Sequence, residues 1–164
     1  MTGLVGEKEE TRELFVFEVG EEFFAVAATE VDQVLRVPPV TTVPGAPLGV
    51  VGIFHSRGRV IVTLDLEQRL GLSREKPFTP SYLFITHIKN NYYAALIDRP
   101  HAVLRVPVVE ITAPPKLPNT RVTRKFVEGV FVRPLPLKPV FVLTLSQVLN
   151  EEELGETTPM LTST

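Results

Sequence analysis

The pentapeptide VLRVP occurs twice in this chain, at 34–38 and at 103–107, an offset of 69 residues. Without gaps at that offset, Leu14-Phe15-Val16 falls on Leu83-Phe84-Ile85, Phe23-Phe24-Ala25 on Tyr92-Tyr93-Ala94, and Val40 on Val109. Beyond this the spacing drifts, because the loops differ in length. Even so, Gly52-Ile53-Phe54 resembles Gly129-Val130-Phe131, and VIVTLDLEQRL (60–70) resembles PVFVLTLSQVL (139–149). There Leu64, Leu66, Gln68 and Leu70 recur as Leu143, Leu145, Gln147 and Leu149. Similarity among Val-rich strands is common, but five identical residues inside a longer ungapped match are not. A repeat of this kind requires the fold to contain the same unit twice.

The unit reads as β structure. LFVFEV and FFAVAA are short, rich in aromatic and β-branched residues, and separated by a Gly-Glu-Glu turn, which predicts a hairpin. YLFITHI, KNN and YYAALI predict the same hairpin in the second half. VLRVP ends in Pro, which cannot continue a central ladder. VVGIF and RVIVTL are two more strands around the turn HSRG. About five short strands per half argue for small barrels rather than an α/β sheet. Helices are few: Asp65-Leu66-Glu67-Gln68 and Thr144-Leu145-Ser146-Gln147 each predict a capping box opening a short helix. Thr29–Leu35 is a further candidate for a helical turn.

One domain is expected over 14–150, with subdomains at about 14–72 and 82–149 whose segments could be exchanged at the join. Residues 1–13 and 151–164 read as polar, frayed tails. The 164 residues suffice for a real core. The net charge of −2 supplies no field for nucleic acid or an acidic membrane. The absence of Cys removes disulfides, thiolate zinc sites and thiol redox chemistry. The acidic start MTGLVGEKEETRE does not read as a secretory signal. The longest apolar run, near 23–28, is far shorter than the about 18 residues that suggest a membrane span. A cytoplasmic protein is the default.

Catalytic chemistry finds little to work with. His55, His87 and His101 lack metal-ligand spacing. His55-Ser56 with Asp65 suggests a nucleophile and base, but neighbours on a strand point to opposite faces. Asp65 already has a structural role as an N-cap. Asp98 followed by Arg99 reads as a local turn or ion pair. Arg121, Arg124 and Lys125 form a short basic stretch with no interleaved aromatics, which favours a solvated loop over a nucleic-acid site. By elimination the chain reads as a non-catalytic interaction module, without metal or cofactor. A small β-barrel enzyme or nucleic-acid binder is the alternative from another class.

VVGIFHSRGRVIVTLDLEQRLGL (50–72) resembles the central signature of the CheW-like domain family: a Gly, apolar residues, Asn-Leu-Arg-Gly, a strand, and Asp-Leu before a short helix. The upstream LFVFEVGEEFFAVAATEVDQVLRVPPVTTVPGAP resembles the family's first hairpin and its "ITPVPGAP" strand. AALIDRPHAVLRVP and VEGVFVRPLPLKPVFVLTLSQVL resemble the later strands. The resemblance covers about 14–149. It implies an all-β fold of two homologous five-stranded SH3-like β-barrels, packed side by side with a groove between them.

It also implies a monomeric scaffold that couples the helical-hairpin tip of a methyl-accepting chemoreceptor to the regulatory domain of a CheA-type histidine kinase. Such a scaffold is recruited to membrane-bound receptor arrays through its partners. Position by position, Ala28, Val31, Val34, Arg57, Ile97, Pro100 and Val103 match the receptor groove. Val40, Val43, Pro44 and Gly52 match the kinase-facing side. The chain departs from the family pattern at Val51, where many members carry a polar residue, at His55-Ser56 in place of Asn-Leu, and at Pro100 in place of Val. These departures and the Pro-rich second half point to a second possibility, an adaptor of a specialised motility pathway such as pili or gliding.

Overall fold

The computed structural model describes residues 9–72, 80–114, 124–134 and 137–149. The expected hairpins form. β1 (Thr11–Val19) and β2 (Glu22–Ala27) pair antiparallel, as do β6 (Tyr82–Ile88) and β7 (Asn91–Ile97). β1 begins at Thr11, so residues 11–13 belong to the sheet rather than to a frayed tail. Thr11, Arg12 and Glu13 pair with Pro107, Val106 and Arg105 of the nine-residue β8 (Arg99–Pro107). The tail segments 1–8 and 151–164 lie outside the described residues, as does Arg121 of the basic stretch.

The remaining strands are β3 (Gln33–Arg36), β4 (Val50–Ser56), β5 (Arg59–Asp65), β9 (Val127–Pro134) and β10 (Leu137–Leu143). They form two five-stranded sheets, ordered β8-β1-β2-β10-β9 and β3-β6-β7-β5-β4. Each sheet closes on itself through an isolated bridge. Thr41 exchanges two backbone hydrogen bonds with Ile53, both 2.8 Å, and Thr112 exchanges two with Val130, both 2.9 Å. The result is the expected all-β fold of two SH3-like barrels.

The barrels do not follow the repeat. The expected subdomains 14–72 and 82–149 divide the chain into its two copies, but each sheet takes strands from both. Each VLRVP strand leaves its own hairpin and pairs with that of the other copy, in equivalent register. Val34 sits opposite Phe84 and Leu35 opposite Leu83; Val103 sits opposite Phe15 and Leu104 opposite Leu14. The parallel pairs agree: β5 runs beside β7 with Ile61 opposite Tyr92, and β10 beside β2 with Val140 opposite Phe23. The second barrel is therefore one contiguous stretch, 33–97, nested between the two parts of the first. Exchange at the join is the arrangement the chain adopts.

Alternation along the central strands explains why they are apolar on both faces. Leu14, Val16, Phe23, Ala25, Val140 and Val142 fill the first barrel, and Leu83, Ile85, Ala94, Leu96 and Ile61 the second. The intervening residues Phe15, Phe17, Phe24, Phe84, Tyr93, Val62 and Leu64 meet in a third cluster between the barrels. Phe17 and Phe84 lie with ring centroids 5.1 Å apart. Each fully buried Phe contributes about 1.5–3 kcal/mol relative to exposure, so this shared layer binds the barrels into one body.

α1 (Leu66–Arg69) and α2 (Leu145–Val148) are single turns that add Leu66, Leu70, Leu145, Val148 and Leu149 to that layer. Asp65 caps α1 as expected, accepting from the backbone N–H of Glu67 at 3.0 Å and Gln68 at 3.3 Å. The box is not reciprocated, because the Asp65 N–H donates to the Gly49 carbonyl. Thr144 does not cap α2: its hydroxyl donates to Glu128 at 2.8 Å instead. The helical turn expected at Thr29–Leu35 is a 3-10 turn over Ala28–Glu30, with Val31 and Asp32 leading into β3.

Candidate functional site

The seam between the barrels is the first place where the expected residues converge. Cross-strand partners share a face of a sheet. Val34 therefore lies beside Phe84, and Val103 beside Phe15, on the face turned toward the other barrel. The Phe15 and Phe84 rings meet edge to face at 5.7 Å. The order across the seam is Val34, Phe84, Phe15, Val103: two buried rings as a floor and two Val rims, 38% and 58% exposed. Val31 packs half-buried against the same layer, and Pro100 sits opposite Phe17. Ala28 is half-buried in the adjoining 3-10 turn.

Ile97 does not belong to this surface. It is fully buried, because at the end of β7 it points into the interbarrel layer. The kinase-facing set is corrected in the same way. Val43 and Gly52 are buried, and Val40 packs half-buried against the second barrel's core. Extended backbone alternates, so the same segment offers solvent Pro39, Thr41, Thr42 and Pro44. Of the four expected residues only Pro44 is exposed.

Gly52 is where it is because of closure: a Cβ there would lie 2.2 Å from the Thr41 carbonyl oxygen and 2.8 Å from Val40 Cγ1. Gly129 has the equivalent place in the other barrel, where a Cβ would lie 2.5 Å from Ile111 Cγ2.

Arg57 occupies the two-residue turn between β4 and β5, at φ +52° with Gly58 at φ +75°. Positive φ at both central residues matches the hairpin twist, and a non-Gly residue there is strained. Arg57 is exposed and makes no hydrogen bond or ion pair among the described residues. It lines a cleft of about 240 Å³ at the mouth of the second barrel, with Asp32, Gln33, Ser56, Arg59, Ile61, Ile85 and Tyr92. The Arg59 guanidinium lies 4.3 Å from the Tyr92 ring centroid, and Asp32 Oδ2 lies 2.7 Å from His87 Nδ1. Arg59 and the Phe15–Phe84 floor stand outside the expected site residues. The floor was signalled by its place in the repeat; for Arg59 the chain carries no signal beyond proximity to Arg57.

The arrangement offers recognition rather than bond-making. His55 and Ser56 diverge, His55 exposed and Ser56 toward the cleft, while Asp65 is engaged as a cap. Asp98 accepts from the Gly20 N–H at 3.0 Å, and Arg99 approaches Glu18 at 3.5 Å. Among the described residues no group of three or more His, Asp or Glu could hold a metal, and no helix is long and apolar enough to cross a membrane.

A family model for the CheW-like domain matches residues 13–153. The chain is 28% identical over 142 residues to "Chemotaxis protein CheW" of Rhizobium meliloti (strain 1021), covering 87% of this chain and 90% of that one. It is 33% identical over 107 residues to "Protein FrzA" of Myxococcus xanthus, covering 63% and 65%. The crystal structure of scaffolding protein TtCheW from Thermoanaerobacter tengcongensis shares the fold, with a TM-score of 0.75 at 24% identity over 88% of this chain and 91% of that one.

Proposed function

Because the chain belongs to the CheW-like domain family, a family of scaffold adaptors and not of enzymes, we propose that it joins a chemoreceptor's helical-hairpin tip to the regulatory domain of a CheA-type histidine kinase. The observation that carries this reading is the seam: Val34 and Val103, equivalent in the repeat, rise on either side of the buried Phe15–Phe84 pair. An apolar trough of this kind suits the apolar face of an amphipathic helix, with a few side chains as anchors. Val31 and Pro100 extend it, and Arg57 supplies an unpaired charge at the far end of the neighbouring barrel. Pro44, with Pro39 and Thr41, forms the exposed side of the segment assigned to the kinase.

The test is assembly with the cognate receptor fragment and kinase regulatory domain. Val103→Asp places a charge on an exposed rim. It is expected to weaken receptor binding at least tenfold while leaving kinase binding and the melting temperature near those of the wild type. Unchanged receptor affinity would remove the seam from the receptor site. The second reading, a pili or gliding adaptor with a divergent receptor, draws support from Pro100: a ring without an N–H stands opposite Phe17 where the family pattern has Val.

A further inference from the structure

The two rims of the seam are copies of one strand, and they differ in charge. Every second residue of an extended strand shares a face, so Arg36 follows Val34 on the rim of the second barrel and Arg105 follows Val103 on the rim of the first. Arg105 lies opposite Glu13 and pairs with it at 3.0 Å. In the other copy of the repeat, 69 positions along, the place of Glu13 is held by Tyr82. Arg36 lies opposite that tyrosine, with its guanidinium carbon 5.2 Å from the ring centroid. Arg36 is exposed and makes no hydrogen bond or ion pair among the described residues. Two positions before each valine the polar residues are also engaged, Asp32 with His87 at 2.7 Å and His101 with Glu18 at 3.2 Å. One rim therefore carries an arginine already matched by an acid, and the other a guanidinium that no acid neutralises.

We propose that Arg36 decides which rim a partner helix takes: a helix with a glutamate or aspartate one turn from its apolar anchor lies on the Val34 side of the trough. The identity of that helix as part of a receptor rests on the adaptor reading; the choice of rim does not. Two residues of a strand span about 6.6 Å, and one helical turn rises about 5.4 Å. An acid three or four residues from the anchor therefore comes beside Arg36 when the anchor meets Val34. Tyr82, packed against the interbarrel layer, holds the plane of the guanidinium and leaves its edge donors for a carboxylate. Apolar contact alone cannot choose, because Val34 and Val103 stand beside equivalent rings, Phe84 and Phe15. An acid brought to Arg105 would have to compete with Glu13. The rims are thus alike to a neutral helix and different to an acidic one.

Two measurements test this. In the first, the arginine Nε–Hε resonances of the full chain are followed by NMR during titration with a synthetic amphipathic helix carrying one glutamate a single turn from a central leucine, and with its glutamine counterpart. The glutamate helix is expected to shift Arg36 and leave Arg105 in place, and the glutamine helix to shift neither. No response to the glutamate helix, equal responses at the two arginines, or equal responses to the two helices would overturn the assignment. In the second, Arg36→Ala, Arg36→Lys and Arg105→Ala are titrated with the receptor fragment and with the kinase regulatory domain, with a melt of each variant. Arg36→Ala is expected to weaken receptor binding about tenfold, Arg36→Lys about threefold and Arg105→Ala by less than about twofold, with kinase binding and melts unchanged. Full receptor affinity in Arg36→Ala, or an equal loss in Arg105→Ala, would overturn the choice of rim and leave the adaptor reading intact. A wild-type chain that bound neither fragment but gave the glutamate-specific shift at Arg36 would overturn the adaptor reading and leave the rim standing.

Discussion

Replacing Gly52 with Ala tests how the second barrel is closed. The added methyl would sit 2.2 Å from the Thr41 carbonyl oxygen and 2.8 Å from both the Thr41 carbonyl carbon and Val40 Cγ1. None of these can step aside cheaply, because Thr41 exchanges two 2.8 Å hydrogen bonds with Ile53, the residue after the glycine. Relief of the overlap breaks that bridge. Two backbone hydrogen bonds are worth about 1 kcal/mol each, and forcing a methyl into a packed site adds about 1–3 kcal/mol. The expected loss is about 3–5 kcal/mol, a large share of the roughly 5–15 kcal/mol that holds a domain folded. In a chain of this size that lowers the melting temperature by about 10 °C.

Gly129→Ala is the internal comparison. There the nearest atom is Ile111 Cγ2, a side-chain methyl, and the Thr112 oxygen is 3.2 Å away. Ile111 can shift its rotamer, so about 1 kcal/mol is expected. Thermal melts of both variants decide the matter. If Gly52→Ala melts like the wild type, or if Gly129→Ala falls as far, closure by the Thr41 bridge does not set the stability of the second barrel. The same experiment bears on function: any loss of kinase binding in Gly52→Ala should track unfolding, since the residue is buried.

Other outcomes follow from single side chains. Arg57→Gly removes a strained left-handed residue and is expected to raise stability by up to about 1 kcal/mol while weakening partner assembly, a combination that paired calorimetry and melts would detect. Arg57→Ala, at the same exposed site, should stay within about 0.5 kcal/mol in stability. Asp65→Ala removes the acceptor for the Glu67 and Gln68 N–H groups and should cost about 1 kcal/mol in urea unfolding. Glu30 has its carboxyl pushed above the usual carboxylate value, first by burial and then by the neighbouring Glu128. Its folded form therefore binds a proton more readily than the unfolded chain, so its contribution is complete below the unfolded value and is lost as pH rises through the folded one. Glu30→Gln should accordingly stabilise the protein slightly at pH 7, with the gain vanishing in melts below about pH 4.5.

The repeat made the strands, the hairpins and the barrel class legible, because apolar alternation and turn residues are local properties. Strand exchange was not readable in the same way. Two copies of one unit have the same edges, so VLRVP fits its own hairpin and the other copy's equally well on paper. The connection that decides between them is a matter of chain reach. The family resemblance alone places Val34 and Val103 on a surface; in the structure they alternate with the half-buried Leu35 and Leu104. Ile97 at the end of β7 and Val43 in the connection between β3 and β4 are buried, and an apolar residue in such a place carries no mark in the sequence of the face it takes. Thr144 differs from Asp65 for a reason outside its own helix: Glu128, brought near by β9, competes for its hydroxyl. Arg59 was overlooked because the feature that makes it notable, Tyr92 beneath it, lies 33 positions along the chain.

The nesting of one barrel inside the other has a consequence during synthesis. A chain emerging from the ribosome presents β1 and β2 first, yet every other strand of their sheet lies beyond residue 98. The inner barrel can complete itself once residue 97 is free, while Phe15, Phe17 and Phe24 still await their neighbours. The leading hairpin then finds an apolar platform, Phe84 and Tyr93, already in place. Maturation is therefore expected to run from the middle of the message outward, with the aromatic hairpin made first depending longest on shelter from aggregation.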